Sequence, residues 1–287
     1  MNDEKGWDDL ADLENAEFAS RDNLLLVDGN NVAYRYIKRA NYNSFGEDYI
    51  RTIESLGKSY GAARIIVCFD FGKSYYRINL HPEYKGTRKK PETDEEKKYY
   101  DEFFNCLNKT IETLPIEYYK FRGVEADDLI TFFTENTSDK FSHTWIISSD
   151  KDLYQLLRDD INIFNLFSRR EITIDSLLED SGCTPEEFLL CRYIWGDSGD
   201  NIKGIEGIGE KRSQGLARKY ETLDETIKSL PIKGSRAKYI TNLNAGKEIL
   251  LYNEKLINLK KYNEIAIRAG KEGNDYWNSL QEVIGWP

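Results

Sequence analysis

The sequence predicts an α/β protein with a mostly parallel sheet flanked by helices, followed by a smaller helical region. Short aliphatic or β-branched runs alternate with helix-like segments as far as about residue 180, and the pattern is helical beyond that point. Such alternation is typical of parallel sheets, whose strands are joined by crossover helices. A chain of 287 residues is long enough for one large domain and a smaller one.

The predicted elements follow one another in a regular order. Apolar runs predict strands at 23–28, 64–70, 116–122 and 144–149, with helices near 48–60, from 125 and from 151. Two further strands, at 161–167 and 170–174, are expected at one edge of the sheet. Thr184 followed by Pro185 predicts the N-cap and the first turn of a helix that begins the C-terminal region.

One connection is unusually long and indicates a functional insertion. About 45 residues separate strand 64–70 from strand 116–122, far more than a connection between neighbouring elements needs. Its first half, Tyr84 to Pro91, is basic, and we expect it to lie above the carboxyl ends of the strands. Thr93 and Glu96 predict a capping box at the start of a helix. A crossover helix with a decorated surface loop is the alternative.

Charge and composition limit the classes of protein that remain. The net charge is −10, but residues 1–22 alone hold eight acidic and two basic residues and are expected to form an acidic tail. Residues 226–247 hold five basic residues and no acid, which offers a local surface for a polyanion or simply a solvated face. With no membrane-spanning stretch, no secretion signal and no zinc-finger cysteine spacing, we expect a cytoplasmic protein with reduced thiols.

Nine carboxylates occur in five groups along the chain, and four of the five groups directly follow a predicted strand, the exception being Asp197 and Asp200. The nine are Asp28, Asp70, Glu125, Asp127, Asp128, Asp150, Asp152, Asp197 and Asp200. Ligands of parallel sheets bind outside the carboxyl ends of the strands, so these acids are expected to converge on one crevice. Each acid alone could be a helix cap, and the pairs Glu125/Asp128 and Asp197/Asp200 are spaced to share a helical face.

So many like charges in one crevice favour a site for divalent metal ions. Hard cations such as Mg²⁺ prefer oxygen ligands and keep several waters, so some of the carboxylates would bind through water. Two such ions about 4 Å apart suit in-line displacement at a phosphodiester. Neither histidine is placed as an obvious general base, which fits a metal-generated hydroxide as the nucleophile.

A glycine-rich segment at 201–213 nearly matches two nucleotide-binding motifs. Glu210 stands where a P-loop has its lysine, and Arg212 stands where a dinucleotide fingerprint has its third glycine. A helix–hairpin–helix at about 196–218 is the better interpretation, with glycine amides close to phosphate and with Lys211 and Arg212 opening the second helix. A plain connector between helices is the alternative.

These motifs resemble those of the flap endonuclease and 5′-nuclease family, particularly its stand-alone bacteriophage members and the nuclease domain of bacterial DNA polymerase I. The resemblance covers roughly residues 23–250 and rests on GVEADD at 123–128, GDSGDNI at 196–202, GIEGIG at 204–209 and PEYKGTR at 82–88. It implies a PIN-like nuclease domain at 23–182 with a helical arch inserted at about 84–113. It also implies a helical DNA-binding domain at 183–287 that contains a helix–three-turn–helix.

The resemblance also implies roles for individual residues. The nine acids match the family's ligands for two Mg²⁺ or Mn²⁺ ions, and the hairpin carbonyls match its K⁺ site. Lys85 resembles the arch lysine that contacts the scissile phosphate, and Arg88 the arginine near it. Tyr84 is expected to stack on an unpaired base near the cut. The residues expected to hold duplex DNA are Lys203, Gly207, Gly209, Lys211, Arg212 and Lys238.

We therefore expect a metal-dependent flap endonuclease and 5′-3′ exonuclease that cuts near junctions of duplex and 5′ single strand. Its expected substrates are branched or 5′-flapped DNA and RNA primers, and we expect a monomer that acts in replication or repair. A PIN-type ribonuclease would share the acidic residues but normally lacks the hairpin. A Toprim-type enzyme would explain Asp150 and Asp152 but not Asp28 or Asp70. A catalytically silent DNA-binding protein would not need the full acidic set.

Overall fold

The computed structural model describes residues 22–38, 41–137 and 139–284, and its centre is a twisted sheet. The strands are β1 (Asn23–Asp28), β2 (Ala62–Phe71), β3 (Tyr118–Arg122), β4 (Thr144–Ile147), β5 (Ile161–Asn165) and β6 (Arg170–Ile172). Their order is β3-β2-β1-β4-β5-β6, and every neighbouring pair is parallel except β5 and β6. The predicted fold class and the edge position of the last two strands are confirmed. Residues 1–21 lie outside the described residues, so the acidic tail stays a prediction.

Helices connect these strands and include three short ones that the sequence did not predict. The helices are α1 (Gly29–Tyr34), α2 (Phe45–Ser59), α3 (Tyr75–Leu80), α4 (Asp94–Glu112), α5 (Ala126–Thr137) and α6 (Ile174–Ser181). The missed helices α1, α3 and α6 have six to eight residues, too few to show a clear helical repeat of apolar residues. The segment Lys151–Leu156 is a 3₁₀-helix rather than the expected α-helix.

The predicted helix starts of the insertion and of the C-terminal region are confirmed. At α4, the Thr93 side chain accepts from the Glu96 amide while the Glu96 carboxylate accepts from the Thr93 amide. Thr184 makes the same reciprocal arrangement with Glu187 at the next helix. Each capping box satisfies backbone donors that the first helical turn leaves unpaired.

The C-terminal region consists of helices around one small hairpin. It contains α7 (Pro185–Trp195), β7 (Gly196–Asp197), β8 (Ile202–Lys203), α8 (Glu210–Tyr220), α9 (Leu223–Lys228), α10 (Lys238–Ala245), α11 (Lys247–Ile257), α12 (Leu259–Arg268) and α13 (Gly273–Ile284). The prediction that Asp197 and Asp200 share a helical face is wrong. Gly196, at φ +81°, ends α7, so Asp197 lies on a strand and Asp200 in the turn after it.

Both faces of the sheet are covered. Leu25 and Val27 point to the face covered by α2 and α4, whereas Leu24 and Leu26 point to the face covered by α5. This alternation is the normal side-chain periodicity of a strand. The core on the α5 face continues into the C-terminal helices. There the ring centroid of Trp277 in α13 lies 5.1 Å from that of Phe132. Among the described helices, none is both long and apolar enough to cross a bilayer.

Candidate metal centre and nucleic-acid interface

Four of the nine carboxylates meet at the carboxyl ends of the central strands, as the sequence predicted. Asp28 ends β1, Asp70 lies near the end of β2, Asp127 is in the first turn of α5 and Asp150 follows β4. We call these four the proximal carboxylates. Local bonds hold them in place, because Asp28 accepts from the Asn31 amide and the Ser148 hydroxyl, while Asp70 accepts from the Ala126 amide.

The proximal carboxylates repel one another strongly. Burial and the charge of Asp70 raise the pKa of Asp28 to about 7. Burial, followed by the charges of Asp150 and Asp28, raises the pKa of Asp127 well above its usual value. Within the described residues, none of the four forms a salt bridge. Such a group of desolvated, unneutralised acids offers the hard oxygen ligands that a divalent cation prefers.

A second group of acids lies beside the first. Asp152, Asp197 and Asp200, which we call the distal carboxylates, each offer an oxygen atom, and these atoms lie within 4.8 Å of one another. Desolvation raises the pKa of Asp152 to about 7, although Arg192 opposes this, and Asp150 adds to it. Arg192 was not identified from the sequence, because a single arginine in an amphipathic helix carries no distinctive signal.

Asp128 does not join either group, and its assignment as a metal ligand needs correction. Its side chain is 0% exposed, and its two oxygens accept from Arg77 at 2.8 and 2.9 Å. Glu125 lies between this ion pair and the crevice: Arg77 donates to one oxygen at 3.2 Å and Lys85 to the other at 2.6 Å. Asp128 thus holds Arg77, and through it Glu125, behind the crevice. The sequence spacing indicated the shared helical face but not its buried partner.

The basic half of the insertion lies over the carboxylates, as predicted. Lys85 Nζ is 2.6 Å from Glu125 Oε1 and 4.0 Å from Asp200 Oδ2. Arg88 Nη2 is 2.8 Å from Asp200 Oδ1. Burial alone would lower the pKa of Lys85, but Glu125 and Asp200 outweigh burial and raise it, so the ammonium stays charged. Lys85 also adopts the left-handed region at φ +54°, which directs its side chain inward.

The prediction that Tyr84 stacks on a base is wrong. Its side chain is 2% exposed, and its hydroxyl donates to Glu125 Oε2 at 2.9 Å. An exposed aromatic ring comes instead from the end of α1, where Tyr34 is 40% exposed and stacks on Phe103 of α4 with 5.8 Å between ring centroids. Burial and then the charge of Asp70 raise the pKa of Tyr34, which places its hydroxyl near the carboxylates. No sequence pattern marked it.

A set of hydrogen bonds joins residues 81–88 to residues 198–201, and we call it the clasp. The backbone amide of Lys85 donates to the carbonyl of Asp200 at 3.0 Å, and the side-chain amide of Asn201 donates to the carbonyl of Glu83 at 3.0 Å. The Nε2 atom of His81 lies 3.0 Å from the carbonyl oxygen of Asn201. The clasp therefore fixes the start of the insertion against the hairpin.

The residues predicted to hold duplex DNA lie in and beside the glycine-rich hairpin. All of them are exposed: Lys203, Gly207, Gly209, Lys211, Arg212 and Lys238. Gly207 has φ +82°, a conformation that favours glycine, and its carbonyl accepts from Arg212 Nη1 at 2.6 Å. Arg212 also lies 4.9 Å from the centroid of the Tyr239 ring. Lys238 Nζ is 3.3 Å from Glu206 Oε1, and both side chains are mostly exposed.

Comparison with known proteins identifies the family to which this arrangement belongs. Residues 23–182 match the model of the 5′-3′ exonuclease N-terminal resolvase-like domain, and residues 183–272 match that of the 5′-3′ exonuclease C-terminal SAM fold. The chain belongs to the 5′-3′ exonuclease family. This confirms the resemblance on which the expected activity depends.

Individual relatives of the family agree. The chain is 39% identical over 271 residues to the flap endonuclease of Escherichia phage T5, covering 92% of this chain and 93% of that protein. It is 30% identical over 275 residues to DNA polymerase I of Lactococcus lactis, covering 86% of this chain and 30% of the polymerase. A T5 flap endonuclease variant solved as a pseudo-enzyme-product complex with DNA and metal ions has a TM-score of 0.86 at 35% identity, covering 92% of this chain and 100% of that one.

That T5 variant was solved with DNA and metal ions, and in this chain Asp152, Asp197 and Asp200 are close enough together to hold a metal ion. The carboxylate oxygens present are the ligand type that hard divalent cations take. The described residues hold no cluster of cysteine and histidine that would suit a soft metal.

Proposed function

We propose that the chain is a flap endonuclease and 5′-3′ exonuclease that hydrolyses phosphodiesters near junctions of duplex and 5′ single-stranded DNA. Its membership of the 5′-3′ exonuclease family supports this activity. The observation that carries the proposal furthest is one crevice in which two groups of acids face the ammonium of Lys85 and the guanidinium of Arg88. A scissile phosphate is an anion, and this crevice offers both cation ligands and fixed cations.

The proximal carboxylates, Glu125 and the distal carboxylates are the proposed ligands of two Mg²⁺ or Mn²⁺ ions, directly or through water. Bound ions would supply a water activated at neutral pH and stabilisation of the charge on the phosphate. A K⁺ ion is proposed at the hairpin carbonyls, where it would share the carbonyl of Gly207 with Arg212. Asp128 is proposed as a positioning residue that acts through Arg77.

Lys85 is the proposed electrostatic catalyst. Its ammonium is held by Glu125 at 2.6 Å within a largely desolvated crevice, where a fixed charge acts more strongly than it would in water. Because Glu125 and the Lys85 backbone are both anchored, little reorganisation is needed when negative charge develops on the phosphate. Arg88, with a more exposed side chain, is the proposed second contact to the phosphate.

DNA binding is proposed to divide between stacking and backbone contacts. Tyr34 and the nearby Tyr100, which is also exposed, would stack on bases unpaired near the cut. The hairpin glycines, Lys211 and Arg212 would hold the duplex backbone through phosphate contacts, which carry no base information. We propose residues 23–182 as the nuclease domain and 183–287 as the DNA-binding domain of a monomeric, cytoplasmic enzyme that acts in replication. RNA primers are proposed as additional substrates.

A pair of matched substrates tests this proposal. The protein is incubated with a 5′-labelled duplex bearing a 5′ flap and with its 3′-flap twin, in Mg²⁺ and in EDTA. We expect Mg²⁺-dependent release from the 5′ flap only, with the cut at or about one nucleotide inside the junction. Binding without cleavage in Mg²⁺ or Mn²⁺ would contradict the proposal, as would cleavage confined to RNA.

A further inference from the structure

Arg192 lies in the last turn of α7 and bridges two of the distal carboxylates. Its Nη2 atom is 2.7 Å from Asp152 Oδ1 and 2.5 Å from Asp197 Oδ2, and its Nε atom is 3.1 Å from Asp152 Oδ1. Its guanidinium carbon lies 5.6 Å from the centroid of the Trp195 ring. The side chain is 12% exposed, so Arg192 is enclosed by carboxylates on one side and an indole on another.

The oxygen atoms that Arg192 contacts are ones that a divalent cation would need. Asp152 and Asp197 belong to the group of three carboxylates that each offer one oxygen within 4.8 Å of the others. The third member, Asp200, is itself bound by Arg88 at 2.8 Å. A carboxylate oxygen engaged in a short, charge-assisted hydrogen bond is a poorer metal ligand than a free one.

The two groups of carboxylates therefore differ in how their charge is balanced. Each distal carboxylate accepts from an arginine, whereas no proximal carboxylate in the described part of the chain forms an ion pair. Lys85 is closest to Glu125 and influences Asp70 only through space. The negative charge of the proximal carboxylates is therefore the less balanced of the two, so a bound cation should stabilise the proximal group more than the distal group.

We propose that Arg192 is a built-in counter-ion of the distal carboxylates, and that it must leave them before a divalent cation is held there at full strength. This inference rests on the proposed function only in taking the distal carboxylates as metal ligands. Arg192 acts through Asp152 and Asp197, so it is a positioning residue. Metal binding then has two steps, a tight one at the proximal group and a weaker one that includes release of the guanidinium.

Calorimetric titration of the full chain with Mn²⁺, without DNA, tests this inference. For the unsubstituted chain we expect two classes of site with different affinity. Arg192→Gln should tighten the weaker class by about tenfold or more, because one competing charge is removed within a few ångströms of the ligands. Arg192→Lys keeps the charge but loses the planar bridge, so an intermediate effect is expected. Unchanged affinities in Arg192→Gln would overturn the inference.

Arg268→Gln is the matched control. Arg268 donates to Glu264 at 2.7 Å and lies 5.2 Å over the ring of Trp277, so it has the same kinds of partner as Arg192. It belongs to α12 and contacts no carboxylate of the site. The substitution removes the same charge and should leave both metal affinities unchanged. An equal tightening in this variant would mean that net charge, rather than the bridge, controls the weaker site, and would also overturn the inference.

A measurement on the unsubstituted chain decides the matter if Arg192→Gln does not fold. The ¹⁵Nε–H resonance of Arg192, assigned from its absence in Arg192→Lys, is followed by NMR during a Mg²⁺ titration. We expect it to move only in the second binding step; movement in the first step, or none while two ions bind, would overturn the inference. Two-step metal binding without 5′-flap cleavage would instead reject the proposed function alone, and flap cleavage with unchanged Arg192→Gln affinities would reject this inference alone.

Discussion

At the scale of single residues, the crevice is a balance of fixed charges. Glu125 and the distal carboxylates are paired with Lys85, Arg88 or Arg192, whereas Asp28 and Asp127 form no ion pair with the described residues and have raised pKa values. Glu125 shows the opposite effect. Burial would raise its pKa, but Lys85 and Arg77 outweigh burial and hold the pKa below its usual value. The carboxylate of Glu125 is therefore ionised at neutral pH, where it can keep the ammonium of Lys85 in place.

Replacing Lys85 by alanine should lower turnover much more than DNA affinity. The ammonium is proposed to contact the scissile phosphate and no other part of the DNA. Removal of one preorganised electrostatic contact commonly costs about 100-fold or more in turnover. Single-turnover cleavage and equilibrium binding of a 5′-flap duplex measure the two effects separately. Lys89→Ala, at an exposed neighbouring position, is the control and should change neither quantity much. Equal turnover in Lys85→Ala would remove this residue from the mechanism.

The stability of the metal-free protein should fall as the pH rises from about 5 to about 8. Asp28 and Asp152 have pKa values of about 7 in the folded protein, whereas aspartate in an unfolded chain has a value of about 4. The folded state therefore binds more protons than the unfolded state between these values, and ionisation removes stability. Thermal unfolding in EDTA and in Mg²⁺ tests this. The rise in unfolding temperature from EDTA to Mg²⁺ should grow as the pH increases over the same range. A rise that did not change with pH would contradict the prediction.

The acids of the site were predictable from sequence, but their partners were not. Asp28 and Asp70 end apolar runs that predict strands, so the pattern alone places them at the carboxyl ends of a parallel sheet. Arg77 and Arg192 are isolated basic residues in short or amphipathic helices, and only tertiary packing turns them toward carboxylates. Tyr84 was assigned to DNA stacking because members of the 5′-nuclease family open the terminal base pairs near the cut, which leaves bases free to stack. Its burial depends on the core of the fold.

At the scale of elements, the hairpin after α7 is what separates this chain from a plain α/β domain. Gly204 lies where any side chain would meet the backbone of Trp195 at 2.0 Å, so the hairpin folds tightly against the end of α7. Gly209 precedes α8 and leaves the start of that helix open to an anion. The sequence predicted this segment well because glycine spacing reports backbone geometry directly.

Replacing Lys211 by alanine should weaken binding to all DNA sequences alike. Lys211 lies exposed in the first turn of α8, where we propose that its ammonium contacts phosphate rather than a base edge. The slope of the logarithm of affinity against the logarithm of salt concentration should fall by about one. Lys58→Ala is a suitable control, because Lys58 is exposed in the last turn of α2, outside both the insertion and the hairpin. A loss that depended on sequence would argue against a backbone contact.

The elements themselves were largely predictable, and the exceptions have a physical reason. The bounds of α2 were predicted to within a few residues, and the start of α4 was predicted from its capping box. The six-residue helices α1 and α3 were missed because tertiary contacts, rather than periodicity, stabilise them. One such contact is the hydroxyl of Tyr49, which donates to the carbonyl of Gly29 at the start of α1.

At the scale of the whole molecule, Arg77 joins the sheet domain to the C-terminal helices. Its Nε atom donates to the carbonyl of Leu256 in α11, while its other nitrogens bind Asp128 and Glu125. Asn263 of α12 adds a bond to the carbonyl of Asp128 at 2.6 Å. Residues of both regions therefore form the back wall of the crevice. Two of them, Leu256 and Asn263, lie beyond residue 250, where the resemblance noted in the sequence ends.

Replacing Arg77 by methionine should destabilise the protein by about 3–5 kcal/mol, because the substitution leaves Asp128 as an uncompensated buried charge. Urea unfolding of the full chain measures the change. Arg64→Met is the control, since its ion pair with Glu117 is partly exposed and should cost about 1 kcal/mol or less. If the two variants lost the same stability, the buried bridge would have no special weight in the fold.

The clasp fixes the position of the proposed cleavage site relative to the hairpin that is proposed to bind duplex DNA. Because it ties the residues around Lys85 to the hairpin loop at 198–201, the protein sets the distance between the proposed duplex-binding residues and the proposed cleavage site. The length of the free strand does not enter that distance. We therefore expect flaps of different lengths to be cut at the same phosphate, as read on a sequencing gel, and a cut that moved with flap length would contradict this. We expect a cleavage position fixed in this way to give the same product end for every flap length.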